Sequence, residues 1–559
     1  MSKKIFVAIV IVLLVASLAV FADSATIKDG GTLRIAYSVG SNLVPNFNPF
    51  SPNAVYVLPA IYEPLFWING LTGETTDFLG TSYKWEDDNL QLIVTTRQGV
   101  KWSDGIPFTA QDVAFTFNYM KKYPAIDNNG IMADSSNLVS VKASGNNTVI
   151  FTFSKPNTAI FYYIAEQPIV PEHIWSGISN PSEWTNPNPV GTGPFLLSSI
   201  DLPNNTITLV KNPNYWMEGK PYIDKVIFSS LLSNTTMLET LLSGRADMGG
   251  GFIPNIQKVW ADKNPSVNKY WWPANSINVL LMNTAKYPFN LPTFREAIAF
   301  GIDKQAIEER AYYNVGGVAN PTGIISSQLD EWLDPNLTEL ANSFNFDPQK
   351  AMTLLNSIGF KKNSSGQLLQ PNGDPLPSFK ILVGAGWTDF ITIAQIIQDN
   401  LKTLGITTTI DQESYGTYIS SLMSGTYDMA VCWATGHGPT PYYFYYNEFN
   451  PAFSANKIGE TAISDYSRYT NPLITAALQV YSSTSDLGLQ KQAIYTIERI
   501  MLMDVPLIPL TGRTEFGEFS EVNFTGWPSN TNPYGGDSEI GLGTTPISGE
   551  LILLNVHLK

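Results

Sequence analysis

Cysteine is all but absent. Of 559 residues only Cys432 carries a thiol, so no disulfide can form within the chain. Histidine is nearly as scarce: His173, His437 and His557 lie far apart, and a zinc-type cluster has no ligand set to draw on. Charged residues are 14% of the chain, and 48 acidic against 33 basic residues leave a net charge of −15. Without a run of Lys or Arg, such a chain repels nucleic acid and anionic lipid, and neither is expected as a partner. There is no P-loop, no H-E-x-x-H and no G-x-S-x-G, so no cofactor or metal is expected and no catalytic motif presents itself. Beyond the first twenty residues no apolar run is long enough to span a membrane.

What is present starts with an address. Lys3 and Lys4 precede an apolar run from Ile5 to about Val20, and Val20-Phe21-Ala22 offers a small-residue cleavage site, the pattern of a secretory signal peptide over residues 1–22. The mature chain is then secreted, periplasmic or at the cell surface, with an uncleaved anchor as the alternative. No cysteine follows the run, so no bacterial lipid anchor is encoded. The length implies two to four lobes, and 44% apolar residues suffice for folded cores. Aromatic content of 12%, with 13 Trp and 26 Tyr, exceeds what a core needs.

Start and stop signals place the elements. Thr109 with Asp112 forms a capping box for a helix carrying Val113, Phe117 and Met120 on one face, flanked by alternating strands, which makes residues 70–184 a separate α+β insertion. From Ser378 to Trp433 the pattern is β-α-β-α-β. "FKILVG" is a buried strand, Thr388 caps a helix striped by Ile393, Ile397, Leu401 and Leu404 and stopped by Gly405, and "ITTTI" is the second strand. A short helix ending at Gly425 leads to "YDMAVCW", the third. That order predicts a parallel sheet, and open parallel sheets bind ligands beyond the carboxyl ends of their strands. Trp387 falls just past the first strand. Trp433 and the segment "CWATGHGPTPYYFYYNEF" fall just past the third. These aromatics either grip a ligand or cover the sheet edge. Tyr270, Trp271 and Trp272, running into Pro273, mark a crossover between lobes, where they face the cleft or form a hydrophobic clasp.

"KWSDGIPFTAQDVAFTF", "GTGPF", "KNPNYW", "GRADM" and "FREAIAFGIDKQAI", in this order and spanning nearly the whole mature chain, resemble the family 5 extracellular solute-binding proteins of ABC importers. The resemblance implies an α/β fold, the two-lobed periplasmic binding protein type II (cluster C) with an extra α+β subdomain and a ligand cleft between hinged lobes. Lobe I would comprise residues 23–69, 185–270 and 508–559, with 70–184 inserted, and lobe II residues 271–507. It also implies a monomeric binder rather than an enzyme, whose partners are a small-molecule ligand and the importer's membrane permease.

In peptide-binding members, the resemblance implies, an aspartate shortly beyond the tryptophan of the "YDM" strand pairs with the ligand's ammonium. Here Trp433 is followed by Ala434, Thr435, Gly436, His437 and Gly438. A buried ammonium without a counter-charge costs several kcal/mol, about a thousandfold in affinity or more. The segment is similar to that of the branch taking up β-linked oligosaccharides such as cellobiose or mannobiose, and a neutral oligosaccharide is the expected ligand, with a peptide as the alternative and a secreted glycoside hydrolase as the distant one. Trp433 and Trp387 are expected as stacking platforms, and Trp271, Trp272 or Trp67 as closing rings. Thr435, Gly436, His437, Asn278, Asp389 and Asn48 are candidates for hydroxyl recognition, and Tyr442 and Tyr443 for the wall. His437 has no second nearby His, Cys or paired carboxylate to make it a metal ligand.

Overall fold

A computed structural model of the chain describes residues 27–38, 43–51, 54–86, 88–436, 438–535 and 548–559. The expected signal segment and His437 lie outside the described residues. Two mixed sheets carry the architecture. The larger has seven strands in the order Asn268–Tyr270, Glu518–Ser520, Met248–Gly250, Thr32–Ser38, Lys225–Leu231, Thr206–Lys211 and Phe195–Asp201. Its central strand alternates, with Leu33, Ile35 and Tyr37 entering the core, and pairs in parallel with the strands on either side.

The second sheet has five strands in the order Thr408–Glu413, Phe379–Gly384, Met429–Trp433, Ala274–Met282 and Leu507–Thr514. Its first three strands are parallel and joined by the helices Thr388–Thr403 and Tyr415–Ser424, as the sequence pattern predicts. Ile393, Ile397 and Leu401 bury the predicted stripe, and Gly405 and Gly425 follow their helices with φ of 81° and 68°, a left-handed conformation that favours glycine. Thr388 is the first helical residue rather than the cap. That place falls to Trp387, whose side chain makes no capping hydrogen bond. The remaining two strands run antiparallel to their neighbours, so the sheet is mixed, a feature the local β-α-β signal does not encode.

The insertion forms a four-stranded antiparallel sheet, in the order Gly80–Glu86, Gln91–Thr96, Thr148–Phe153 and Leu138–Ala143, against the helix Ala110–Lys122, which begins with the expected Thr109–Asp112 capping box. Its core is not separate. Leu92, Val113, Phe117 and Phe151 belong to the same continuous cluster as Leu33 and Ile35 of the seven-stranded sheet.

The chain passes between the two sheets at residues 271–273 and returns at 515–517, because Asn268–Tyr270 pairs with Glu518–Ser520 in one sheet while Ala274–Met282 pairs with Leu507–Thr514 in the other. The strand Leu507–Thr514 buries Leu507, Ile508 and Leu510 in the five-stranded body, so residues 508–514 sit there and not with the larger sheet, as the expected boundary at 507 would have it. Among the described residues no helix is long and apolar enough to cross a membrane.

Candidate functional site

The two crossing strands and the carboxyl ends of the parallel strands meet along one rim of the five-stranded sheet. Trp433 ends its strand directly opposite Asn278, and Trp387 follows the neighbouring strand. Their ring centroids are 5.6 Å apart, and Phe390 and Tyr418 complete the group at 6.2 and 6.1 Å from Trp433. Both tryptophans keep part of their surface exposed. The expectation of a charge-free rim fails at this end: the Arg513 guanidinium lies 5.9 Å from the Trp433 ring centre, a cation–π distance, and is bridged to Glu515 at 3.1 Å. Asp389, close to Tyr312 and Arg513, has its carboxyl raised above the usual range by burial, with backbone hydrogen bonds and Arg513 opposing. Asn278 is fully buried beneath Trp433, donating its amide to the Thr511 hydroxyl at 3.0 Å, and has no surface with which to read a ligand.

The residues that follow Trp433 line a small, partly open cavity. Asn275 and Ser276 of the crossing strand form one side, the 323–328 segment another, and Ala434, Gly436 and Phe444 a third. None of the thirteen described residues lining it is ionisable. Gly436 has φ of 75°, and a Cβ there would come within 2.4 Å of the Asn447 amide, so only glycine lets the loop turn under the cavity. Gln328 is 6% exposed and donates Nε2 to Gly438 O at 2.9 Å and to Gly70 O at 3.3 Å, tying the loop to the body that carries the seven-stranded sheet.

The other expected residues do different work. Thr435 donates both its N–H and its hydroxyl to Glu448, the hydroxyl at 2.7 Å, and so supports the loop from below. Burial pushes the Glu448 carboxyl up to about 8 and that of neighbouring Asp465 up to about 7, the Thr435 hydrogen bonds acting against the shift of Glu448. Tyr442 and Tyr443 are 3% and 5% exposed and lie on the helix Tyr442–Phe449, inside the core, not on a cleft wall. Trp271 and Trp272 form the clasp: Trp271 packs into the larger core and donates to Asn530 at 2.9 Å, while Trp272 packs on Phe252 and Phe516 and donates to Glu518 at 2.7 Å. Trp67 is enclosed with Phe78, Leu551 and Leu554. Asn48 is 1% exposed, its amide donating to Pro181 O and Trp184 O and its oxygen accepting from Phe50 N, so it braces a turn and has no free group. Sequence reasoning missed Asn275, Ser276 and Gln328. Only the placement of the "NSINVLLMN" strand at the crossover pointed toward the first two.

The model of the bacterial extracellular solute-binding proteins, family 5 (middle region), matches residues 75–456. A periplasmic oligopeptide-binding protein of an oligopeptide ABC transporter from Thermotoga maritima, solved with mannohexaose bound, is 28% identical, with 94% of this chain and 98% of that one covered and a TM-score of 0.80. Another structure of that protein gives 0.86 over 94% and 99%. The nickel-binding periplasmic protein of Escherichia coli K12 is 26% identical over 80% of this chain and 82% of its own. The peptide transport periplasmic protein SapA of Salmonella typhimurium is 24% identical over 87% of each.

Proposed function

The chain belongs to the bacterial extracellular solute-binding proteins of family 5, and on that premise we propose that its ligand is a neutral β-linked gluco- or manno-oligosaccharide, enclosed between the lobes by ring stacking and hydroxyl hydrogen bonds. As a member of that family it is the substrate-binding component of an ABC importer, periplasmic or extracellular, and not an enzyme. Export through the segment 1–22, cut near Ala22, belongs to the proposal, as does delivery of the closed, loaded protein to the permease, which favours the shape the ligand favours.

One observation carries the reading: the cavity at the rim is lined by amides, hydroxyl groups, backbone and apolar surface, with no ionisable side chain among the described residues. A sugar ring offers apolar C–H faces and hydroxyl groups to such a wall and brings no charge to desolvate. A peptide terminus placed there would remain an unpaired ion, at a cost of several kcal/mol. The mannohexaose in the Thermotoga maritima relative supports the same reading at 28% identity. Trp387 and Trp433, paired at the strand ends, would supply rigid ring area for further sugar units.

A peptide is the second reading, favoured by Asp389 and Arg513 beside Trp433, which offer one charge of each sign to a zwitterion. The two separate by titration calorimetry of the purified protein against mannohexaose, cellohexaose and a mixed peptide library, with the sugars checked afterwards by mass spectrometry. Micromolar sugar binding, about −8 kcal/mol, with the chain length intact is expected. Binding of peptide alone sinks the proposal, and shortened sugar would mean hydrolysis.

A further inference from the structure

Asn275 occupies an unusual place in the crossing strand. The register of Ala274–Met282 against Leu507–Thr514 runs Ala274 to Thr514 and then Ser276 to Arg513, so Asn275 is the extra residue of a β-bulge. Bulges turn one side chain out of the ladder's alternation and recur beside binding sites. This one puts Asn275 on the wall of the cavity, 6% exposed, with a side-chain oxygen that meets no partner among the described residues. A buried amide oxygen is ordinarily satisfied, and one left open carries a standing penalty that a donor arriving from outside removes. The cavity's remaining polar side chains, Ser276, Gln328 and Thr440, are uncharged, and Ile324 and Phe444 give it apolar surface. The cavity is small and partly open to solvent, without room for a chain of sugar units.

We propose that this cavity is a discrete subsite for a single uncharged sugar unit of the ligand, read by Asn275 through a hydrogen bond from one ring hydroxyl to the amide oxygen. The subsite rests on the oligosaccharide reading above and adds to it a place and a specificity-determining residue. Trp387 and Trp433 stack units without regard to the arrangement of their hydroxyl groups, since any pyranose presents a C–H face. Asn275, fixed by the bulge, accepts from a hydroxyl in one direction only. Gln328 adds a consequence: its amide lines the cavity while bonding Gly438 on one body and Gly70 on the other, so a unit in the subsite sits against the contact that joins the two halves.

The test compares wild type, Asn275→Ala and Asn275→Asp, each shown by thermal unfolding to be folded, in calorimetric titrations with mannohexaose and cellohexaose, alongside a crystal structure of the wild type with whichever sugar binds. A sugar ring in the cavity with a hydroxyl within hydrogen-bond distance of Asn275 is expected. So is an affinity at least tenfold weaker in Asn275→Ala, with substantial recovery in Asn275→Asp, which restores the acceptor. Monodeoxy versions of the bound sugar give the decisive readout: the analogue lacking the contacted hydroxyl should bind wild type and Asn275→Ala equally, an equality that a merely structural role for Asn275 would not produce. If sugar binds but Asn275→Ala stays within twofold of wild type, or the ring lies only along Trp387 and Trp433, the subsite is overturned and the oligosaccharide reading stands. If neither sugar binds the wild type, both fall together.

Discussion

Trp433, at the end of the strand Met429–Trp433, and the aromatic run Tyr442–Phe449 lie within twenty residues of each other, and the protein uses them in opposite ways. Trp433, with Trp387, stays partly exposed at the sheet rim, its faces shared among rings and Arg513. The run Tyr442–Phe449 becomes a helix whose phenols are committed inward: Tyr443 donates to Ala159 O at 3.0 Å and Tyr445 to Thr322 O at 2.8 Å, and Tyr442 stacks on Tyr481 at 4.3 Å. Tyr443 also packs against Tyr162 and Tyr163 at 4.7 and 5.8 Å, so this helix fastens the insertion to the five-stranded body. Density of aromatic residues therefore does not mark a ligand surface. The disposition of the polar ends does: a phenol bound to a backbone carbonyl is structural, whereas a ring left half open at a strand end remains available.

The sharpest way to break this contrast is to remove one side of it. Tyr443→Ala should lower unfolding stability by about 3–5 kcal/mol, the cost of an aromatic cavity in a packed core, measured by urea denaturation. A loss below about 1 kcal/mol would mean that the seam is loose and the helix free to serve the cleft. The next largest effect is on pH. Glu448 belongs to the tyrosine helix but holds Thr435 at the rim, and burial raises its carboxyl to about 8 and that of Asp465 to about 7. Folded protein thus keeps protons that the unfolded chain releases above its ordinary carboxyl range, near 4, so stability is full below that range and falls as pH rises toward 8. The decline should be several kcal/mol, and Glu448→Gln should flatten its upper part. Stability rising from pH 5 to 8 would show that these carboxyl groups are ionised and solvated.

How much of this was legible depends on whether a signal is local. The capping box at Thr109, the helix stripe of Ile393, Ile397 and Leu401 and the stops at Gly405 and Gly425 are set by neighbours within a turn, and the structure has them as the sequence predicts. The antiparallel addition of Ala274–Met282 and Leu507–Thr514 depends on pairing across more than 200 residues, which periodicity does not report. The same limit governs the site. Trp387 and Trp433 meet because both follow parallel strands, a topological argument available from sequence. Asn275 and Gln328 are brought to the cavity by a bulge and a single 3-10 turn with no composition of their own. Asn48, Trp67, Trp271 and Trp272 look like recognition residues by type, and only their packing shows that they serve the frame.

Two smaller effects sharpen the comparison from each side. Trp433→Ala should weaken oligosaccharide binding at least about tenfold, a threshold of about 1.4 kcal/mol, while its partial exposure keeps the loss of stability below that of Tyr443→Ala. Calorimetry giving unchanged affinity would remove the ring from the site. Tyr443→Phe is the finest test, because it keeps the ring against Tyr162 and deletes only the hydroxyl that reaches Ala159 O. A net hydrogen bond is worth about 1 kcal/mol, and that is the expected loss of stability. Affinity for the same sugar should stay within about twofold, since the phenol faces a carbonyl of the insertion and not the cavity. A tenfold fall in affinity at unchanged stability would instead make Tyr443 a ligand-reading residue, and the line drawn between the two aromatic groups would fall.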